Sequence, residues 1–173
     1  TSQKLANTIA VSVLLRDQAD NYLITQRTST VAIGKDLWGV SASGSLDPND
    51  VTSKTKTLEY EDPFCACAAR EIEEELGIHI PSNQFATTML MLGDEKFQPI
   101  ALVDGVISEI FDLEQIKNHI DKSQQEQKHG VEVRKVHCIS KQQLAELITS
   151  YRFSQAAYLQ IEQIINPCVQ DRQ

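Results

Sequence analysis

Short runs of hydrophobic and β-branched residues, separated by polar turns, open the chain. Residues 8–15 and 22–26 are two such runs, and the polar residues 17–21 between them predict a hairpin. A third extended run, residues 37–44, ends in small side chains, which leave room for another group to approach the backbone. The beginning of the chain is therefore predicted to form three strands.

Residues 62–77 carry the clearest helix pattern in the sequence. Asp62 is a favourable N-cap, Pro63 suits the first helical position, and Gly77 is a typical residue just beyond a helix end. The residues before this helix, 45–61, are mostly polar and are predicted to form a loop.

The second half of the chain mixes strands with helices. The hydrophobic pattern predicts strands at 85–92, 99–110 and 131–139, and helices at 112–121, 140–149 and 154–165. No internal repeat or low-complexity tract is present. Strands mixed with a few helices predict an α/β or α+β fold in one domain of residues 1–173, with C-terminal helices at about 140–166.

Length and charge limit the function classes. A chain of 173 residues fits one domain, since domains usually contain roughly 100–200 residues. With 16 Lys and Arg against 24 Asp and Glu, the formal net charge is −8, which argues against binding long nucleic acids. A small phosphorylated ligand is compatible with this charge, because a bound divalent cation reverses the local sign. No apolar run approaches the roughly 18 residues of a membrane helix, and residues 1–7 lack the apolar core of a signal, so we expect a cytoplasmic protein without membrane contact.

The cysteines indicate no disulfide framework. Cys65, Cys67, Cys138 and Cys168 form neither a CxxC pair nor a regular spacing. Cys65 and Cys67 lie two residues apart on the predicted helix and hence on different sides of it. We expect reduced, mostly buried thiols without a catalytic role.

Charge is placed unevenly around the predicted helix. At about 100° per residue, its apolar stripe contains Phe64, Ala68, Ile72 and Leu76, joined by Cys65 and Ala69. Glu75 projects into this stripe, Glu71 lies at its edge, and Glu73 points to the opposite side. Two carboxylates at positions i and i+4 repel one another unless a cation lies between them.

A metal site explains this placement. Glu71, Glu74 and Glu75 together offer the hard oxygen ligands that Mg²⁺ or Mn²⁺ prefers. Arg70 lies four residues before Glu74 and is placed to orient it. The alternative interpretation is a solvated run of charge, as in many Glu-rich helices, but the position of Glu75 within the apolar stripe argues against it.

Residues 70–78, Arg-Glu-Ile-Glu-Glu-Glu-Leu-Gly-Ile, resemble the core of the Nudix box. In that family the core reads Arg-Glu, an apolar residue, any residue, Glu-Glu, any residue, Gly and an apolar residue. Upstream, the box has seven residues before the arginine, an acidic residue, five residues and a glycine. Asp62 stands at the acidic position and Gly44 is the matching glycine, so residues 45–61 exceed the expected five by 12.

The resemblance, which also covers residues 23–27 and 37–39, implies a fold and an activity. The fold would be a Nudix-type α/β/α sandwich around a mixed β-sheet. The activity would be Mg²⁺- or Mn²⁺-dependent hydrolysis of a nucleoside diphosphate linked to another moiety, with a small nucleotide-derived substrate. Because residues 45–61 leave the strand at Gly44 and return at Asp62, on either side of the proposed metal site, we expect them to form a mobile flap that shapes substrate access rather than a source of ligands. The oligomeric state stays open, a homodimer included.

The resemblance also implies residue roles. Catalytic roles fall to Glu74, Arg70 and Glu71, and metal ligation to Glu71, Glu75, Glu74 and the backbone carbonyl of Ser43. The candidates for substrate binding are Arg27, Trp38 and Gly44, although core packing is the more common role for a tryptophan such as Trp38. Many family members recruit a further glutamate as general base, a role open to Glu126 or Glu132, unless these are exposed carboxylates alone. His129 and His137 invite the same role, although isolated histidines are more often packed or surface residues.

Two other functions fit the same family. An isopentenyl-diphosphate isomerase would carry a cysteine just after the tryptophan-containing strand, whereas residues 40–43 contain no thiol. A nucleotide-sensing module without turnover would commonly lose box carboxylates, whereas Glu71, Glu74 and Glu75 are all present. Hydrolysis is therefore the leading hypothesis.

Overall fold

A computed structural model describes residues 8–27, 37–51, 61–93, 97–125 and 133–167, in which seven strands form one mixed sheet. The strands are β1 (Ala10–Arg16), β2 (Asn21–Arg27), β3 (Trp38–Gly39), β4 (Ala42–Ser45), β5 (Phe85–Leu92), β6 (Pro99–Val106) and β7 (Val133–Ser140). The helices are α1 (Pro48–Val51), α2 (Pro63–Leu76), α3 (Leu113–Gln125), α4 (Lys141–Ser150) and α5 (Gln155–Ile165), and a 3-10 turn spans Ser82–Gln84. The fold is mixed α/β, as the sequence predicted.

The sheet divides at β1, because two different strands pair with the same edge of this strand. β6 runs parallel to β1 over its whole length, while β4 and β2 pair antiparallel with successive parts of the other edge. Ser41 lies where these two partners separate: its hydroxyl accepts a hydrogen bond from the Leu15 amide (2.8 Å) and donates one to the Leu23 carbonyl (2.6 Å). The Ser41 hydroxyl thus satisfies the Leu15 amide and the Leu23 carbonyl at the point where the sheet divides. β4 begins at the next residue.

Helices cover both faces of the sheet because β1 alternates its buried side chains between them. Val11, Val13 and Leu15 face one core, which is closed by α2 and α3. Leu14 faces the other core, which is closed by α4 and α5. The result is a three-layered α/β/α arrangement with β4 directly beneath α2.

The structure differs from the sequence prediction most over residues 37–61. Smaller differences are that β6 ends at Val106 rather than at residue 110 and that α3 extends to Gln125 rather than to residue 121. The extended run 37–44 is two short strands, β3 and β4, because Ser41 bonds to β1 and β2 where the sheet divides. The loop expected over residues 45–61 begins with ordered structure: Ser45 ends β4 and residues 48–51 form α1. Residues 52–60 lie outside the described residues.

A buried polar side chain ties α5 to the sheet. Gln160, with 1% of its surface exposed, donates from Nε2 to the Val103 carbonyl (3.0 Å) and to Asp104 Oδ1 (2.9 Å). Its Oε1 accepts a hydrogen bond from the Ser12 hydroxyl (3.0 Å). Burial raises the pKa of Asp104, although the Gln160 hydrogen bond and the Arg16 charge act in the opposite direction.

The raised pKa of Asp104 predicts a pH dependence of stability. The folded chain holds this proton more tightly than the unfolded chain, so the stabilising contribution is present below the unfolded pKa, about 3.9, and is lost as pH rises through the folded value. Asp104→Asn keeps an acceptor for Gln160 without the charge. Urea unfolding at pH 4 and pH 8 should show the variant gaining stability relative to the parent as pH rises. Parallel stability curves would show that burial of Asp104 has no such effect.

Candidate active site

The ends of α2 are fixed by local interactions. Asp62 Oδ1 accepts a hydrogen bond from the Phe64 amide (2.9 Å), and Oδ2 accepts one from the Thr87 hydroxyl (2.7 Å), which ties the N-cap to β5. At the other end Gly77 adopts φ 69°, a left-handed conformation that favours glycine, and its amide bonds to the Glu73 carbonyl. The helix predicted over 62–77 is confirmed, and its N-cap is tied to β5.

Glu71 lies against β4 at a position that only glycine permits. The residue is 8% exposed, and its carboxylate lies over Gly44. A Cβ added to Gly44 would lie 1.9 Å from both Cδ and Oε1 of Glu71, far inside van der Waals contact. Gly44 therefore provides the space that the Glu71 carboxylate occupies.

Arg70 gathers three carboxylates around one guanidinium. Its Nη1 donates to Glu71 Oε1 (2.8 Å) and to Glu74 Oε2 (3.3 Å). Its Nε and Nη2 donate to the two oxygens of Asp50 (3.0 and 2.9 Å). Nη2 also donates to the Ser45 carbonyl (3.0 Å). These interactions, the Asp50 hydrogen bonds above all, raise the pKa of Arg70, so the guanidinium is a permanent cation between the helix and β4.

Asp50 is the residue that sequence reasoning missed. Five residues separate it from Gly44, which is the box spacing between the glycine and the acidic residue. The sequence interpretation gave that position to Asp62, but Asp62 caps the helix and Asp50 contacts the arginine. The 12 additional residues thus fall between Asp50 and Arg70. The Gly-x5-Asp spacing was the available signal.

Glu73 and Glu75 occupy different environments, as the helix geometry predicted. Glu75 is half-buried, whereas the Glu73 side chain is 59% exposed and its Oε2 lies 3.2 Å from Nδ1 of His79. In the described parts of the chain, no three acidic, histidine or cysteine side chains come close enough together to hold a metal ion. The box carboxylates supply hard oxygen donors, the type of ligand that Mg²⁺ and Mn²⁺ prefer.

The other predicted site residues are spread over both faces of the sheet. Ser43 lies in β4 opposite Ser12, next to the Gly44 contact. The Trp38 ring packs at 4.8 Å from His137 and 5.6 Å from Tyr151, in the core that α4 and α5 close. The predicted residues Glu126, Glu132 and His129 lie outside the described residues, as does the side chain of Arg27.

His137 lies with Trp38 and away from the box carboxylates. Burial, together with the charges of Lys135 and Lys117, lowers the pKa of its imidazole, which favours the neutral form. The contact between the His137 and Trp38 rings indicates a packing role for this histidine.

The thiols on α2 are protected by their surroundings. Cys67 Sγ donates to the Ser45 carbonyl (3.6 Å), and burial raises the pKa of this thiol to about 12. Burial also raises the pKa of Cys65, whose sulfur lies 3.9 Å from the Thr87 hydroxyl. Cys65 and Cys67 carry free thiols and are buried, as predicted.

These environments predict slow thiol chemistry. Because the thiolate is the reactive form, Cys65 and Cys67 should resist iodoacetamide at pH 8 in the native protein and react within minutes after denaturation. Peptide mass spectrometry distinguishes the two sites. The double variant Cys65→Ala, Cys67→Ala should keep the activity of the parent. A folded but inactive double variant would point to a thiol mechanism.

Comparison with known proteins agrees with these features. The chain matches no family model. It is 31% identical over 91 residues to the m7GpppN-mRNA hydrolase NUDT17 of Bos taurus, which covers 53% of this chain and 26% of that protein. Among solved structures it is similar to a Nudix hydrolase from Alicyclobacillus acidocaldarius, with TM-score 0.65, 12% identity and coverage of 94% and 93% of the two chains. It is also similar to the Nudix domain of Shewanella oneidensis NrtR complexed with ADP ribose, with TM-score 0.56, 15% identity and coverage of 91% and 86%.

A mixed sheet between two helical layers, with a capped helix carrying Arg-Glu-x-x-Glu-Glu above a glycine-containing strand, is the Nudix fold. The box residues 70–78 and the matching relative support a Nudix family assignment. The chain spans about a quarter of the length of the curated relative that it matches. Within the described residues, no helix has the length and apolar character needed to cross a membrane.

Proposed function

We propose that this chain is a metal-dependent pyrophosphohydrolase that cleaves the diphosphate linkage of a small nucleotide-derived substrate. One observation carries the proposal: Arg70 holds Glu71 and Glu74 by the same nitrogen, with Glu71 lying over Gly44. Such an arrangement keeps two carboxylates close together on one helix face despite their mutual repulsion.

Glu71, Glu74 and Glu75 would hold Mg²⁺ or Mn²⁺, with a backbone carbonyl from Ser43 on the facing strand. When bound, the ion supplies charge neutralisation for the diphosphate oxygens and promotes deprotonation of the attacking water. Glu74, the more exposed partner of Arg70, would hold that water, with 61% of its side chain accessible. Arg70 keeps Glu71 oriented. Its guanidinium suits this role because it is planar and permanently charged.

The substrate class follows from charge and from the relatives. A net charge of −8 disfavours long nucleic acids as ligands. A small diphosphate would bind through the divalent cation, which reverses the local negative charge. The Nudix domain of NrtR is complexed with ADP ribose, a nucleotide-derived diphosphate, which supports the same class here. Gly44 and Arg27, the latter at the end of β2, remain the proposed substrate contacts; Trp38 is left out because its ring packs against His137.

The experiment is a turnover screen of the purified protein with Mg²⁺ or Mn²⁺. The panel contains ADP ribose and other nucleoside diphosphate conjugates, nucleoside triphosphates, dinucleoside polyphosphates and isopentenyl diphosphate. We expect cleavage of at least one nucleotide conjugate to two phosphorylated products, with no turnover in EDTA. Turnover of isopentenyl diphosphate to its isomer would support the isomerase instead, and tight binding of a nucleotide without turnover would support a sensing module.

A further inference from the structure

We propose that His119 of α3 is a positioning residue of this site, which holds the last turn of α2 and with it the carboxylates of Glu74 and Glu75. The inference rests on the proposed function and assigns a role to a residue far outside the box in the sequence. Nε2 of His119 lies 3.2 Å from the backbone carbonyl oxygen of Glu74. Because a carbonyl oxygen only accepts hydrogen bonds, the imidazole nitrogen carries the hydrogen and donates it. Two helices are thereby joined at the turn that carries two of the three proposed carboxylate ligands.

The Glu74 carbonyl needs a partner from outside its own helix. The last four carbonyls of an α-helix have no amide donor within the helix. At the end of α2 the Gly77 amide bonds to the Glu73 carbonyl, and the Glu74 carbonyl is the next one along the helix. His119 supplies a donor to it. Because helix ends fray, this bond stabilises the turn in which Glu74 and Glu75 lie.

The His119 ring also packs against the residue that ends α2. A Cβ added to Gly77 would lie 2.5 Å from Nδ1 and 2.6 Å from Cγ of His119, much closer than van der Waals contact. The missing side chain at Gly77 therefore leaves the space in which the imidazole lies. His119 thus meets the last turn of α2 at two points, the Glu74 carbonyl and Gly77.

α3 is itself fixed in the fold. Ile116 and Ile120, on either side of His119 in the sequence, are 2% and 5% exposed and lie in the core that α2 also closes. Asp112, just before the helix, accepts hydrogen bonds at Oδ1 from the amides two and three residues further on (3.1 and 2.9 Å). These contacts hold the helix that presents His119 to the end of α2.

Loss of the His119 hydrogen bond should act on the metal ligands at the end of α2. Glu71 has its own supports, Arg70 and the space over Gly44, one turn before this end. Without His119, the last turn is free to move and to carry the Glu75 carboxylate with it. Displacement of a ligand by about 1 Å is enough to cost on the order of 100-fold in rate. The expected effect is therefore on kcat and on metal affinity.

The test compares His119→Leu with His119→Gln, and His79→Leu is the matched control. Leucine has no hydrogen-bond donor, whereas the side-chain amide of glutamine restores an N–H donor. His79 is another histidine beside α2, and its 79% exposed side chain lies 3.2 Å from the Glu73 carboxylate. His119→Leu should lower kcat and Mn²⁺ affinity about 10- to 100-fold and change KM less than about 3-fold, as for other residues that orient a ligand. His119→Gln should recover most of this loss, and His79→Leu should behave like the parent.

Amide hydrogen exchange in the substrate-free protein separates positioning from general destabilisation. In His119→Leu, the amides of residues 75–77 should exchange faster than in the parent, while the amides in the middle of α2 keep their parental protection. His119→Gln and His79→Leu should keep parental exchange in both parts of the helix. Faster exchange along the whole of α2 in His119→Leu would show a general loss of stability and would overturn the positioning role.

The outcomes distinguish this inference from the proposed function. A parent protein inactive on the whole panel, with Mn²⁺ affinity and protection of residues 75–77 that depend on His119, would overturn the hydrolase proposal and support the positioning role. An active parent whose kcat and Mn²⁺ affinity are unchanged by His119→Leu would overturn the positioning role alone. Equal losses in His119→Leu and His79→Leu, or in His119→Leu and His119→Gln, would also overturn it, because the role requires a donor at position 119.

Discussion

Glu75→Gln is expected to lower kcat at least about 100-fold while the protein stays folded, because the amide keeps the shape of the side chain but loses the charge of the proposed metal ligand. Glu75 lies on the helix one turn after Glu71 and is half-buried, so it faces the same side as the Glu71 carboxylate. Steady-state kinetics over a range of Mn²⁺ concentrations, with circular dichroism to verify folding, makes the measurement.

Glu73→Gln is the matched control on the same helix. It removes the same charge two residues away, from an exposed side chain whose neighbour is His79. Its kcat should stay within about 2-fold of the parent, since exposed substitutions away from a site have small effects. Equal losses at Glu73 and Glu75 would show that total charge, rather than the placement of ligands around the helix, controls the activity.

Gly44→Ala is expected to be the second severe change. Its Cβ would overlap the Glu71 carboxylate at 1.9 Å, so the glutamate has to leave its place over β4. Displacement of a ligand by about 1 Å is enough to cost on the order of 100-fold in kcat. We expect a loss of that size, accompanied by weaker Mn²⁺ binding in calorimetry.

Gly39→Ala separates this effect from a general intolerance of alanine in the strands. A Cβ at Gly39 would meet only Thr25 atoms, the nearest at 3.8 Å, which is ordinary van der Waals contact. The Gly39 variant should therefore keep parental activity and Mn²⁺ affinity. Normal Mn²⁺ binding in a folded Gly44→Ala protein would contradict the proposed place of Glu71 at the metal.

The parts of the fold that the sequence predicted well depend on local signals. The limits of α2 followed from Asp62, Pro63 and Gly77, each of which acts on backbone groups within one turn. The strand pair of β5 and β6 followed from alternation around a polar turn. The exposure of Glu73 followed from helix periodicity alone, whereas Glu71, predicted only at the edge of the apolar stripe, is more buried than Glu75.

The parts that the sequence did not predict depend on contacts between distant residues. The division of the run 37–44 reflects Ser41 bonding to two other strands, which no local pattern encodes. The contact of Asp50 with Arg70 joins residues 20 positions apart, and the capping signal at Asp62 drew attention to a different carboxylate. The substrate-binding role of Trp38 stays a prediction, while its ring packs in the core that α4 and α5 close, which is the alternative role that the sequence also offered.

The placement of Asp50 changes how the additional residues should be engineered. Shortening residues 45–61 as one unit would delete Asp50 and the turn that holds it. A deletion confined to residues within 52–60 leaves that turn intact. Such a variant is the better probe of substrate access.

The most direct measurement of the central claim is hydrolysis in ¹⁸O-labelled water with Mg²⁺, followed by mass spectrometry of both products. Attack of water on phosphorus at a metal-dependent site predicts one ¹⁸O atom in a phosphoryl group of one product. In EDTA, neither product should form. Label in a non-phosphoryl position, or the same product yield in EDTA, would contradict a metal-dependent pyrophosphohydrolase.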